Sequence, residues 1–155
     1  EAAIDISSLL TSGTNCTTSS IYSTWNASPD RNAPSCFATG PIKNRWFKFT
    51  ATTDFVRIKF LYYSGGGSYN GNQSANMTVW EADGLTEVDC RNNPGDRNNY
   101  TMTVQNLTQG DVYYISVDTR VNDPGNFGLC LYDTYDYDFP QGAIDVTTYF
   151  NNCTT

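Results

Sequence analysis

From Asn44 onward the chain is cut into short segments of alternating apolar and polar residues, separated by turn-forming residues about every ten positions. Phe55 to Tyr63 shows the pattern best: Val56, Ile58, Phe60 and Tyr62 fall on one side, Arg57 and Lys59 on the other. A period of two marks a half-buried β-strand. The same reading gives strands at Arg45 to Thr50, Met77 to Glu81, Thr86 to Cys90, Tyr100 to Val104, Val112 to Val117 and Phe127 to Leu131. Between them stand Ser64-Gly65-Gly66-Gly67-Ser68, Ala82-Asp83-Gly84, Asn92-Asn93-Pro94-Gly95-Asp96, Gln109-Gly110-Asp111 and Asn122-Asp123-Pro124-Gly125, all clusters that favour turns. No stretch keeps a 3.6-residue period over three turns. The expected fold is therefore all-β: an antiparallel, jelly-roll-like sandwich of about seven to eight strands. Aromatic residues, 14% of the chain, suit such pleated, half-buried surfaces.

Residues 7–44 read differently. They are rich in Ser, Thr, Asn and Pro and poor in apolar groups. They are expected to form a long surface excursion, pinned by a Cys16–Cys36 bridge. The five cysteines are Cys16, Cys36, Cys90, Cys130 and Cys153, none in a C-x-x-C pair, and the chain has no histidine. Zinc-ribbon and zinc-finger spacings are thereby excluded, and disulfides in an oxidising compartment are the expected use. Cys16, Cys36, Cys90 and Cys130 are the candidate set. Of their three connectivities, Cys16–Cys36 with Cys90–Cys130 is preferred.

The fifth cysteine belongs to an echo between the two ends of the chain. Ala3-Ile4-Asp5-Ile6 and Asn15-Cys16-Thr17-Thr18 are answered by Ala143-Ile144-Asp145-Val146 and Asn152-Cys153-Thr154-Thr155. Self-similarity at this long spacing signals repeated domains rather than short solenoid repeats. The expected organisation is a β-sandwich over 1–140. Residues 141–155 then begin the next repeat, or add as a strand to a neighbouring subunit by β-augmentation. Ala143, Ile144, Asp145, Val146 and Cys153 are the inter-repeat candidates, and neighbouring copies of the domain are the expected partners.

The ordered series Arg45-Trp46-Phe47-Lys48-Phe49-Thr50-Ala51, Met77-Thr78-Val79-Trp80-Glu81, Val88-Asp89-Cys90, Leu107 to Val117 and Gly125-Asn126-Phe127-Gly128-Leu129-Cys130-Leu131 resembles the bacterial pre-peptidase C-terminal (PPC-like) domain. It is similar above all to the versions repeated in secreted and cell-surface proteins of Bacteroidota. The resemblance covers about 90 residues, Trp46 to Tyr132, in the family's order. It implies a jelly-roll sandwich acting as a non-catalytic module of exported proteases, adhesins or surface proteins. Some relatives bind calcium, and some bind protein or sugar. Many relatives carry two acidic residues after the cysteine, where this chain has Cys90-Arg91-Asn92-Asn93.

Chemistry narrows the function further. Without histidine no Ser-His-Asp or Cys-His arrangement can be built. Paired carboxylates could still act as in glycosidases, but the acids lie mostly in turns and none sits in an evident pocket motif, so the chain is expected not to be an enzyme. A net charge of −7 repels phosphate backbones and anionic bilayers, which sets nucleic acid aside. No apolar run reaches the ~18–20 residues of a membrane span, and no signal-peptide core is present, which fits a mature form or an excised fragment. No cofactor is expected, with calcium the one ion considered. Its candidate ligands are Asp133, Asp136 and Asp138, against a solvated acidic linker as the simpler reading. Asp118 and Asp123 flank a loop, and the echoed Asp5 and Asp145 could join a calcium ion at a domain junction. Tyr63 and Tyr69, beside the glycine-rich loop, are the candidate platform for a protein or glycan ligand. Asn26, Asn72, Asn76, Asn99 and Asn106 are among the N-x-S/T sequons.

The expected function is that of an extracellular, non-catalytic structural repeat unit of a cell-surface adhesin or filament. The alternative is a protein- or carbohydrate-binding accessory module of a secreted hydrolase.

Overall fold

The computed structural model describes residues 2–31, 33–37, 40–62, 75–92, 100–119 and 124–134. Among them are nine strands and one short helix: β1 (Ile4–Asp5), α1 (Ser8–Thr11), β2 (Tyr22–Ser23), β3 (Asn44–Thr50), β4 (Phe55–Tyr62), β5 (Ala75–Trp80), β6 (Glu87–Arg91), β7 (Tyr100–Gln105), β8 (Val112–Thr119) and β9 (Asn126–Tyr132). The expected sandwich is present, as a five-stranded sheet β1-β3-β8-β5-β6 against a four-stranded sheet β2-β9-β4-β7. Only β5 and β6 are neighbours both in sequence and in a sheet. Every other link crosses between the sheets or skips a strand, which is how a jelly-roll-like winding is built. One pairing departs from the antiparallel expectation. β1 runs parallel to β3, with Ile4 opposite Phe47 and Asp5 opposite Lys48.

Alternation fixes the core. Phe47 and Phe49 of β3, Met77 and Val79 of β5, and Tyr113, Ile115 and Val117 of β8 are buried from one sheet. Val56, Ile58 and Phe60 of β4, Met102 and Val104 of β7, and Phe127, Leu129 and Leu131 of β9 meet them from the other. Aromatic rings knit the layers together: Phe127 lies 5.9 Å from Phe47 and 5.4 Å from Phe60, and Phe60 stacks on Tyr100 at 5.5 Å. Such offset and edge contacts add about 0.5–1.5 kcal/mol each beyond area burial.

The surface excursion expected over 7–44 lies mostly at the surface, and it is also built into the fold at both faces. Ile6 and Leu9 enter the core. Residues 15–17 then run along β9: Thr17 N–H donates to the Leu129 carbonyl at 2.9 Å, and Leu131 N–H donates to the Asn15 carbonyl at 2.9 Å. Farther on, β2 pairs with the start of β9, Tyr22 opposite Phe127. From Trp25 the chain crosses to the outer face of the five-stranded sheet. There Pro34, Phe37 and Pro41 close over Asn44, Trp46, Trp80, Ser116 and Asp118. This cover buries β5 on both faces, which is why Met77 to Trp80 lacks a clean polar side.

The disulfides follow the two crossings. Cys16 bonds Cys130 on β9, and Cys36 bonds Cys90 on β6. All four expected cysteines are thus used, but the preferred pairing is overturned. Cys16 and Cys36 lie on opposite sides of the sandwich because the segment between them changes faces. No helix among the described residues is long and apolar enough to cross a membrane.

Candidate functional site

The outward positions of β3 and β8 build the floor of a hollow of about 470 Å³ on the five-stranded sheet. Alternation turns Phe47 and Phe49 inward, so Trp46 and Lys48 face out, with Tyr114 opposite Lys48 across the ladder. Asp30, Arg31, Asp83 and Gly84 line the same hollow, with Ala2 and Ala3 from the approach to β1.

Each wall is held by local hydrogen bonding. The Trp46 indole N–H donates to Asp30 Oδ1 at 3.1 Å, and the Arg31 guanidinium carbon lies 5.8 Å from the Trp46 ring centre. Trp80 lies 5.9 Å from Trp46 and donates its own indole N–H to Ser116 Oγ at 3.0 Å. Arg31 has φ +75°, a left-handed conformation that a non-glycine residue adopts at a cost of order 1–3 kcal/mol. A Cβ added to Gly84 would stand 3.4 Å from Arg31 Nη2, so the glycine leaves room for the guanidinium.

Asp83 accepts from the Leu85 and Thr86 N–H groups, both at 2.8 Å, and from Thr86 Oγ1 at 2.7 Å. The Thr86 and Leu85 N–H donors hold its carboxyl below the usual carboxylate range. On β1, Asp5 accepts from Ser7 N–H at 3.0 Å and Ser7 Oγ at 2.7 Å, and lies 3.7 Å from the Nζ of Lys48, which lines the hollow. The Ser7 backbone donor, then its hydroxyl, then Lys48, lower the Asp5 pKa. The hollow therefore offers two cations, two carboxylates and two aromatic rings. That set can hold a ligand bearing both donors and acceptors. It contains no nucleophile with an adjacent base.

A second polar feature is structural. Asp118, 2% exposed, accepts from Ile42 N–H at 2.9 Å and Lys43 N–H at 2.8 Å. Asn44 accepts from Asp30 N–H at 3.1 Å and donates to the Asp30 carbonyl at 3.0 Å. These contacts, with the Cys36–Cys90 bond and a Ser35–Glu87 contact, tie residues 30–44 down onto the sheet. Asp118, which flanks a loop in the sequence, lies at the base of this cover.

Of the other sequence candidates, Asp133 is described, and its Oδ2 accepts from Thr52 Oγ1 at 2.6 Å. Asp136, Asp138, Tyr63, Tyr69, Ala143, Ile144, Asp145, Val146 and Cys153 lie outside the described residues. Among the described residues no group of three or more His, Cys, Asp or Glu gathers to hold a metal ion. Asn76 of the sequon set is buried, 8% exposed, and its side chain belongs to the packed sheet face. The sequence signal for the hollow is Trp46, a large aromatic ring next to core Phe47 and thus outward by alternation.

No family model matches the chain, and no curated protein sequence does. A solved structure with a similar course is the carbohydrate-binding module CBM35 from Cellvibrio japonicus Abf62, 16% identical, with a TM-score of 0.33 over 74% of this chain and 87% of that one.

Proposed function

We propose that this chain is a non-catalytic structural repeat unit of an extracellular, cell-surface protein, an adhesin or filament. One observation carries the reading: the path enters and leaves the sandwich at opposite ends. β1 runs parallel to β3 with Ile4 opposite Phe47, so Ala2 approaches beside the first residues of β3. β9 runs the other way along β4, and Asp133 and Thr134 emerge beside Thr52 and Arg57, past the last residue of β3. The two points are about six residues apart along the strand direction, roughly 20 Å at ~3.3 Å per residue. Units linked that way extend in a line instead of folding back on one another. The two disulfides fit an oxidising compartment, and the ordered series that resembles PPC-like domains fits an exported module. The test is small-angle scattering of the natural protein. The maximum dimension should grow by one domain length for each homologous unit, and a compact, globular arrangement of units would sink the reading.

A second reading, an accessory module that grips glycan or protein, is favoured by the strained Arg31 held over Trp46 in the hollow. It predicts saturable binding on a glycan or protein array, lost in Arg31→Ala and Lys48→Ala. An array without saturable binding rejects it.

A further inference from the structure

In the hollow on the five-stranded sheet the acceptors are engaged and the donors are not. Its two carboxylates are Asp30 and Asp83. Asp83 Oδ1 accepts from the Leu85 and Thr86 N–H groups, and Oδ2 from the Thr86 hydroxyl. Asp30 Oδ1 accepts from the Trp46 indole. Asp30 Oδ2 is the carboxylate oxygen left without a donor among the described residues.

The donors stand otherwise. Arg31 carries its N–H groups in a planar fork. Among the described residues none of them donates a hydrogen bond, and the guanidinium lies over the Trp46 ring, 5.8 Å from its centre. The Tyr114 hydroxyl also has no partner among the described residues. Lys48 Nζ stands 3.7 Å from Asp5 Oδ2, in a pair whose side chains are 39% and 57% exposed. An exposed pair at that distance is readily exchanged for another. A guanidinium, an ammonium and a phenol around one hollow suit an anionic, oxygen-bearing ligand.

The backbone marks Arg31 in particular. Its φ of +75° is costly for a side-chain-bearing residue, and Gly84 leaves room for the guanidinium. Yet that side chain makes only the ring contact with Trp46 and a weak attraction to Asp83. A strained residue whose donors stand unused over a hollow fits a group that acts on a ligand. Spacing narrows the class. Trp46 and Lys48 are two residues apart on the outward face of β3, so Lys48 stands roughly 6.6 Å along the strand from the ring that Arg31 covers. Alternate side chains of an extended peptide repeat on one side at that same distance. A neutral sugar fits less well. It stacks on an open aromatic face, whereas the Trp46 ring already carries Arg31 and packs against Trp80 at 5.9 Å.

We infer that the hollow is a docking site for an extended acidic peptide with Asp or Glu at alternate positions, one carboxylate taken by the Arg31 fork and the next by Lys48. One N–H of the peptide then meets Asp30 Oδ2. The inference rests on the binding reading of the hollow and names the ligand class for it.

The test is fluorescence anisotropy of a labelled peptide, Thr-Asp-Thr-Asp-Thr-Thr, titrated with the oxidised 155-residue chain. Saturable binding is expected, weakened about tenfold or more in ~1 M salt, where the screening length falls to about 3 Å. The same peptide with Asn for Asp should not bind. Arg31→Ala and Lys48→Ala should each weaken binding about fivefold or more. Arg31→Lys should recover only part of the loss, because an ammonium cannot grip a carboxylate with two parallel bonds. Lys59→Ala, on the other sheet, should leave binding unchanged. Arg31→Gly separates binding from packing. Glycine takes a positive φ without strain, so the thermal midpoint should hold or rise while binding is lost. A midpoint lower by about 4 °C or more, with binding intact, makes Arg31 a structural residue and overturns the inference. Saturable binding of an oligogalacturonate but not of the peptide, lost in the same variants, overturns the peptide in favour of an acidic sugar and leaves the binding reading standing. Salt-insensitive binding of a neutral glycan overturns the charge assignment and also leaves that reading standing. No saturable binding of any of these probes overturns both.

Discussion

Gly128 is the most closely packed of the described glycines. A Cβ there would lie 2.9 Å from Thr17 Oγ1 and closer still to the Thr18 carbonyl oxygen. The obstacle is largely backbone, so it cannot swing aside. Gly128→Ala is expected to lift residues 15–18 from β9 and cost at least the 1–3 kcal/mol typical of overpacking, measured by urea denaturation. Fast hydrogen exchange at Thr17 and Leu131 should accompany the loss, since their N–H groups bridge residues 15–17 and β9. Asp118→Ala should cost about 2–3 kcal/mol by stranding the Ile42 and Lys43 N–H groups. Asp118→Asn, which keeps an acceptor, should cost less. Tyr100 contributes to the alkaline limit. Burial pushes its phenol well above the usual range, against a smaller opposing pull from Arg91, and its hydroxyl donates to the Ala75 carbonyl at 2.8 Å. A folded pKa raised above the unfolded one gives stability that is whole below about pH 10 and is lost as the pH rises beyond it. Denaturation midpoints at pH 8 and pH 11 should therefore differ, and Tyr100→Phe should flatten the difference.

At the scale of elements, strands were legible where one face meets the core and the other meets water. Val56, Ile58 and Phe60 against Arg57 and Lys59 announced β4, and Met102 and Val104 against Thr101 and Thr103 announced β7. Legibility failed where a loop supplies the second covering. Residues 25–43 carry too few apolar groups to be read as structured, yet Pro34, Phe37 and the Asp118 carboxylate seat them on the sheet. Their order comes from polar contacts and a distant disulfide, and neither leaves a periodic mark in a sequence. The disulfide pairing was misread for the same reason, because proximity in sequence said nothing about which face the chain had crossed to. The hollow arose from the same crossing, since Asp30 and Arg31 reach Trp46 only after it. Replacing Cys36 and Cys90 together by Ala should free this cover at a cost of about 2–5 kcal/mol. Intrinsic tryptophan fluorescence should shift to the red as Trp46 and Trp80 gain water, while the far-ultraviolet signature of the sheets persists.

The whole molecule is a two-sheet sandwich whose first and last described segments are joined covalently, Cys16 to Cys130, around a loop of 114 residues that encloses the Cys36–Cys90 bond. Closing a loop of that size removes about 5 kcal/mol of unfolded-state freedom in the chain-entropy model, and because one loop lies inside the other the two contributions do not simply add. The staple also decides how a pulled chain would respond. Tension arriving at Ala2 reaches Cys16, passes through one sulfur–sulfur bond to Cys130, and leaves at Thr134. The covalent path bypasses the strands between, apart from the β1 contacts with β3 that must peel first. An oxidised unit can give way only by peeling residues before Cys16 and after Cys130, whereas a reduced unit releases on the order of 400 Å of chain. Force spectroscopy on oxidised and reduced protein should show that contrast as short against long extension steps. In a string of such units, the redox state of one bond per domain would separate an inextensible cable from an elastic one.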